Sequence, residues 1–269
     1  MTPQRWTRYA ALGDSITEGW CDPVLGDGEP WFGWADRLAL AIDAGVRAQG
    51  GARIEFANLG VRGRRIHHVV EDQIPAALAM RADLVSILVG GNDLMSLRVD
   101  PDALAARLES GVARLRAAGV DVLLATAFDP GPLRALRVLR VRTAIFNAHL
   151  AAIAQRHGCR LVDLWGLEGL RDGTFWSEDR IHPSTTGHLR IANAAARVLG
   201  LPEIRSDAPV ALDARIPFTV WMRRHLAPWL GRRVRRVSSG DGRGPKLPEP
   251  TPIAVVDEIL TALRRASAG

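Results

Sequence analysis

Residues 83–91 read DLVSILVGG, an apolar run broken by a single serine, with no alternation of polar and apolar positions. A strand with one wet face alternates, so this run belongs to a strand covered on both faces, as in a parallel sheet between helical layers. The rest of residues 8–200 obeys the same constraint. Short strand-like segments, RYAALG (8–13), RIEFANLG (53–60), VDVLLATA (120–127) and RLVDLW (160–165), alternate with longer helical patterns. The helices are expected over 33–50, over 66–80 with Pro75 marking a kink or break, over 102–119, from about Leu133 to His157, and over 186–200. Asp100 is placed to cap the third of these, and Gly119, Gly158 and Gly200 to close the last three. Such spacing implies βαβ units, a parallel five-stranded sheet in a three-layer αβα sandwich, and functional loops gathered at the C-terminal ends of the strands.

Composition narrows the class. Hydrophobic residues make up 47% of the 269, enough to fill a sizeable core. The two cysteines, Cys21 and Cys159, are far apart and in no metal-ligand spacing, which fits a reducing, cytoplasmic setting rather than a disulfide framework. The first residues, MTPQRWTRYAALGDS, lack the apolar core of a secretion signal, and no uninterrupted apolar run is long enough to span a bilayer. The net charge of +6 is uneven: residues 201–269 hold 12 basic and 7 acidic side chains, so the body is near neutral and the tail is basic. A nucleic-acid enzyme would be basic around its site, so no nucleic-acid partner is expected.

Four short blocks carry the chemistry. GDSITEG (13–19) follows the first strand and sets Ser15 where a helix begins, with backbone N–H groups aimed at developing negative charge. On its own it reads equally well as a capping serine. NLGVRGRR (58–65) follows the second strand, and its glycines Gly60 and Gly63 let backbone amides face a ligand or simply turn the chain. VGGND (89–93) follows the third and offers the Asn92 amide, which alone is an ordinary loop cap. In EDRIHP (178–183), Pro183 pushes His182 off helical angles, so Asp179 and His182 share a turn before the last helix. There the carboxylate can fix the imidazole tautomer and leave Nε2 to accept a serine proton. Each block has a plain structural reading; their shared position at strand ends favours one site.

These residues resemble the SGNH (GDSL-type) hydrolase superfamily: Gly13-Asp14-Ser15, Gly63, Asn92, and Asp179 with His182 occur in the family's order between residues 8 and about 200. Gly63 aligns better than Gly60 with the family's second block, and Ile16 replaces the leucine of the family's name. The resemblance implies a flavodoxin-like fold and ester hydrolysis through an acyl-enzyme. Ser15 is then the nucleophile, His182 the base, Asp179 its orienter, and the Ser15 and Gly63 N–H groups with the Asn92 amide the oxyanion hole. No cofactor and no metal are required. His67 and His68, adjacent on a helix, are expected to point different ways.

Trp20 and Trp31, in the aromatic loop after the nucleophile, are candidate substrate contacts, although Trp31, Phe32 and Trp34 read equally as packing. Cys21, with no base of its own, reads as a bystander; Arg62, Arg64 and Arg65 could attract an anionic substrate, but three arginines in a loop read more readily as a solvated face. Residues 201–269, a Pro/Arg-rich extension with a short helix expected after Thr251, are read as wrapping the catalytic domain 1–200. Contact with an anionic membrane surface is the alternative for this tail. The substrate is expected to be a small or medium acyl ester, with short chains preferred because no long lid is visible. The rival readings are a binding protein on the same fold, an acyltransferase and a lysophospholipase variant. Oligomeric state has no signature here.

Overall fold

The computed structural model describes residues 6–22, 31–96, 98–131, 136–204, 216–228, 231, 235 and 238–258. Five parallel strands run β1 (Arg8–Gly13), β2 (Glu55–Asn58), β3 (Leu84–Leu88), β4 (Asp121–Ala125) and β5 (Arg160–Val162). A sixth, β6 (Leu247–Pro252), pairs antiparallel with β2, giving the order β5-β4-β3-β1-β2-β6. The five-stranded expectation is corrected here. β6 reads LPEPTP, and its three prolines argue for irregular chain. On an edge, however, every second N–H points away from the sheet, and Pro248, Pro250 and Pro252 occupy those alternate positions. The prolines also blunt the outer edge against further pairing.

The central strands are buried on both faces. In β1, Tyr9 and Ala11 face one core while Ala10 and Leu12 face the other; in β3, Leu84 and Leu88 face the first and Val85 and Ile87 the second. The first face is covered by α2 (Trp34–Ala48) and α8 (Thr185–Val198), with Trp34, Leu38, Ile42 and Ile191 turned inward. Ile253 of the tail is fully buried in the same core. The second face is covered by α4 (Ile74–Ala79), α6 (Pro101–Ala117) and α7 (Arg137–His157). Asp100 caps α6 as expected, accepting from the Asp102 N–H at 3.0 Å.

Pro75 falls where the helical run changes form, as its sequence suggested. It stands at the start of α4, which is continuous with α3 (Ile66–His68) through a π-helical turn, Val69–Gln73. Proline lacks the N–H of a helical ladder and crowds the carbonyl one turn earlier, and the widened turn accommodates both defects. The turn also leaves Gln73 buried toward β1. In the tail, helical backbone runs over 253–258, as expected after Thr251; the rest of that stretch, 259–269, lies outside the described residues.

Chain order reverses between β1 and β3, and ligands gather at such switch points, beyond the carboxyl ends of the strands. The first and third sequence blocks leave the sheet there, in adjacent strands whose ends pair Gly13 with Leu88.

Candidate active site

The backbone leaves β1 through Gly13, at φ +155°, where a Cβ would stand 2.3 Å from the Leu88 carbonyl oxygen, so only glycine fits. Gln73 grips this residue from the side: Gly13 N–H donates to its Oε1 at 2.8 Å, and its Nε2 donates to the Gly13 carbonyl at 2.9 Å. Asp14 then caps the short α1 (Ser15–Glu18), accepting from the Ile16 N–H at 3.1 Å. Ser15 is the first residue of that turn.

Ser15 Oγ lies 2.8 Å from His182 Nε2, and His182 Nδ1 lies 2.5 Å from Asp179 Oδ2. Asp179 Oδ1 accepts from the N–H groups of Ile181 and His182, both at 2.9 Å, and from Ser177 Oγ at 2.8 Å. The turn is closed by a Ser177 N–H bond to the His182 carbonyl, with Arg180 in left-handed backbone at φ +61°. Burial disfavours the imidazolium, but the adjacent Asp179 carboxylate overrides it and raises the His182 pKa. Burial likewise opposes ionisation of Asp179, yet His182 and the backbone donors hold it below the usual carboxylate range. Asp14, buried behind the serine, is pushed up to about 7 by desolvation.

Gly63 and Asn92 line the same cavity as Ser15, Asp179 and His182, a space of about 790 Å³. Gly63 is the third residue of a turn closed by Arg64 N–H to Val61 O at 3.2 Å, and its φ of +78° is what that position asks of glycine. Among the described residues no acceptor takes the Gly63 N–H. Asn92 lies in α5 (Gly91–Leu94); its Nδ2 donates to the Arg64 carbonyl at 3.0 Å and more weakly toward Asp14 Oδ2 at 3.4 Å. The second and third blocks are thereby tied to each other and to the first.

Several side chains sit elsewhere than the sequence suggests. Arg62 is not solvated: it is buried, its Nε 3.0 Å from Glu18 Oε1, and its guanidinium carbon lies 3.5 Å from the centroid of the Trp20 ring. Trp20 lines the cavity, whereas Trp31 backs it with ring centroids 4.9 Å apart. Cys21 is no bystander in position, since its Sγ lies 3.8 Å from Asp179 Oδ2. With Asp179 and His182 it forms a group whose ligand atoms all fall within 4.8 Å, but those of Asp179 and His182 already share the hydrogen bond between them. The His67 and His68 rings do not diverge; their centroids are 3.8 Å apart.

The tail also reaches the site. Trp221, in α9 (Phe218–Trp221), donates Nε1–H to the Asp179 carbonyl at 2.9 Å, and His225 Nε2 lies 3.0 Å from Glu178 Oε1. Ser238 stands so close over Gly63 that a Cβ there would collide with its Oγ. Gln73, the Glu18–Arg62 pair and Trp221 escape sequence reasoning because each meets the site through contacts remote in the chain. The one local hint for Gln73 is that it ends the polar run of VVEDQIP, directly before the apolar Ile74.

Beside Ser15 and His182 opens a second, apolar cavity of about 530 Å³, with Phe128, Leu139, Trp176, Trp221 and Leu226 in its walls. No helix among the described residues is long and apolar enough to cross a membrane.

Among solved structures, the chain is similar to LAE5, an alpha/beta hydrolase enzyme from the metagenome of Lake Arreo, Spain, at 26% identity and a TM-score of 0.60, covering 74% of this chain and 97% of that one. It is also similar to Axe2, an acetylxylan esterase from Geobacillus stearothermophilus, at 24% identity and a TM-score of 0.61, covering 77% of this chain and 100% of that one. No curated protein matches. The model of the GDSL-like Lipase/Acylhydrolase family matches residues 11–190, spanning all four blocks. The chain belongs to the GDSL-like lipase/acylhydrolase family and is a carboxylic ester hydrolase.

Proposed function

We propose that Ser15, His182 and Asp179 act as a catalytic triad on a small or medium acyl ester. The observation that carries this reading is the unbroken relay from Ser15 Oγ through His182 to Asp179, with contacts of 2.8 and 2.5 Å. Ser15 Oγ attacks the ester carbonyl carbon while His182 Nε2 takes its proton. The developing oxyanion is met by the Ser15 and Gly63 N–H groups and by the Asn92 amide hydrogen that otherwise leans weakly toward Asp14. The intermediate collapses, the ester C–O bond breaks, and His182 returns the proton to the departing alcohol oxygen. Water, deprotonated by the same nitrogen, then releases the acid and restores Ser15. Asp179, fixed by its own donors, keeps Nδ1–H bound and Nε2 free to accept.

The acyl group fits the apolar cavity beside Ser15, whose volume is typical of small-molecule sites. Trp221 and Leu226 of the tail stand in its walls, which leaves room for a medium chain where the sequence alone favours short ones. Medium chains are therefore favoured over the shortest. The test is a panel of activated esters from C2 to C12 on the full chain, with Ser15→Ala as control. Turnover should peak near C6 to C8 and fall about 10⁴-fold in the variant. Undiminished hydrolysis by folded Ser15→Ala would overturn the mechanism, and a peak at C2 the chain-length reading. The two free cysteines accord with a reducing, cytoplasmic setting.

A further inference from the structure

The space above Ser15 has two halves, one mainly apolar and one of mixed polar and apolar lining. One is the apolar chamber just described, where Asp129 is already met by Arg140 at 2.8 Å and by Arg171 at 3.6 Å. The other, the cavity of about 790 Å³, is lined by Arg64, Arg65, His67 and His68, by Arg224 and His225, and by the Ser238–Asp241 turn, which packs on Arg62 and Gly63.

Its charges divide into the committed and the uncommitted. Arg62 is taken by Glu18, Arg224 and His225 both meet Glu178, and Asp179 is held by His182. Asp241 accepts from the Ser238 N–H at 2.8 Å. Arg64 and Arg65 form no ion pair among the described residues, although Arg65 is near enough to Asp93 to favour its charged form, and both line this space. His68 Nδ1 accepts from the Arg65 N–H at 3.1 Å, which leaves its Nε2–H as a further donor. Partial burial, then His67 and Arg64, lower the His68 pKa, consistent with a positive local field.

Two guanidinium forks beside neutral donors fit a phosphate, which takes paired N–H···O bonds. The apolar chamber is the better place for an acyl chain, and the half that holds Arg64 and Arg65 the better place for an anion. We propose that the substrate is an ester of an apolar acyl chain with a phosphate-bearing alcohol, the chain seated in the apolar chamber and the phosphate against Arg64 and Arg65. The proposal rests on the esterase reading above and assigns the negative charge to the leaving group. The bonds made and broken are those already given: acylated Ser15 remains, and the phosphorylated alcohol departs with the proton from His182.

The experiment compares 4-(octanoyloxy)phenyl phosphate with 4-(octanoyloxy)anisole, which share the acyl chain and differ in charge. A second pair, 1-octanoylglycerol 3-phosphate and 1-octanoylglycerol, distinguishes a lipid headgroup from a soluble phosphate ester as the source. In the full chain, kcat/KM should favour the phosphate member of at least one pair by about tenfold or more. That ratio should shrink as salt rises from 0.05 to 0.5 M, because the contact is charge on charge. It should fall toward 1 in Arg64→Gln/Arg65→Gln. A wild-type ratio at or below 1 in both pairs overturns the proposal with no variant needed, as does a ratio that neither salt nor the double variant changes. If the neutral esters are cleaved and the phosphates are not, only this inference falls. If no ester is cleaved by folded protein, the esterase reading falls and takes the inference with it.

Discussion

The Asp179 carboxylate accepts from two backbone N–H groups, one hydroxyl and the imidazole, with the Cys21 thiol as a more distant donor. So many donors fix it as a carboxylate, and its charge is what raises His182. Proton acceptance from Ser15 needs the neutral ring, so the acid limb of kcat/KM should lie above the pH of an ordinary histidine. In Asp179→Asn the raising charge is gone, and the limb should move to lower pH while the plateau drops about 10⁴-fold. A pH profile with the limb unmoved would remove Asp179 from the account. This pair was legible in the sequence because Pro183 forbids helix at His182 and the spacing suits a turn. Arg62 was misread because a charged residue in a Gly-rich loop looks solvated, and only the fold reveals Glu18 and Trp20 waiting for it.

At the level of elements, the tail is joined to the body at several places, three of which bear on the sheet and the site. β6 extends the sheet, Lys246 Nζ lies 2.6 Å from Asp36 Oδ2, and Trp221 reaches the Asp179 carbonyl. We propose that residues 1–200 form the catalytic unit and that the described parts of 201–269 act as a strap on it. Ile253, at 0% exposure, sits in the core under α2 and α8. Ile253→Ala should cost about 2–5 kcal/mol in urea unfolding, and a chain cut after Gly200 should unfold more readily still, with the β2 edge bare. Equal stability of the cut and full chains would refute the strap. The five parallel strands and the main helices were readable from periodicity alone. β6 was not, since three prolines argue against a strand until its edge position is known. The π-helical turn was equally hidden: its cue, Pro75, marks a break without stating its form.

Across the whole molecule, His188 links parts distant in sequence. Its Nδ1 accepts from the Trp34 N–H, and its Nε2–H donates to the Trp20 carbonyl, both at 3.2 Å. Burial, with Arg37 and Lys246 nearby, lowers its pKa to about 3 from an ordinary 6.5. Between those values the unfolded chain binds a proton that the native one refuses, so this contribution to stability falls as pH falls, by about 1.4 kcal/mol per pH unit. The advantage of wild type over His188→Gln should therefore shrink by roughly that much from pH 6 to pH 5 in paired urea titrations. A constant difference would mean that His188 is protonated in the folded state.

Separate loops from β1, β2, β3 and the α8 approach must deliver one reactive hydroxyl, and that claim has a direct test. Folded full-length protein is treated with a fluorophosphonate probe and the adduct is located by peptide mass mapping. The account predicts a single adduct on Ser15, lost in Ser15→Ala and strongly slowed in His182→Ala. An adduct on another residue, or none on folded protein, would contradict it.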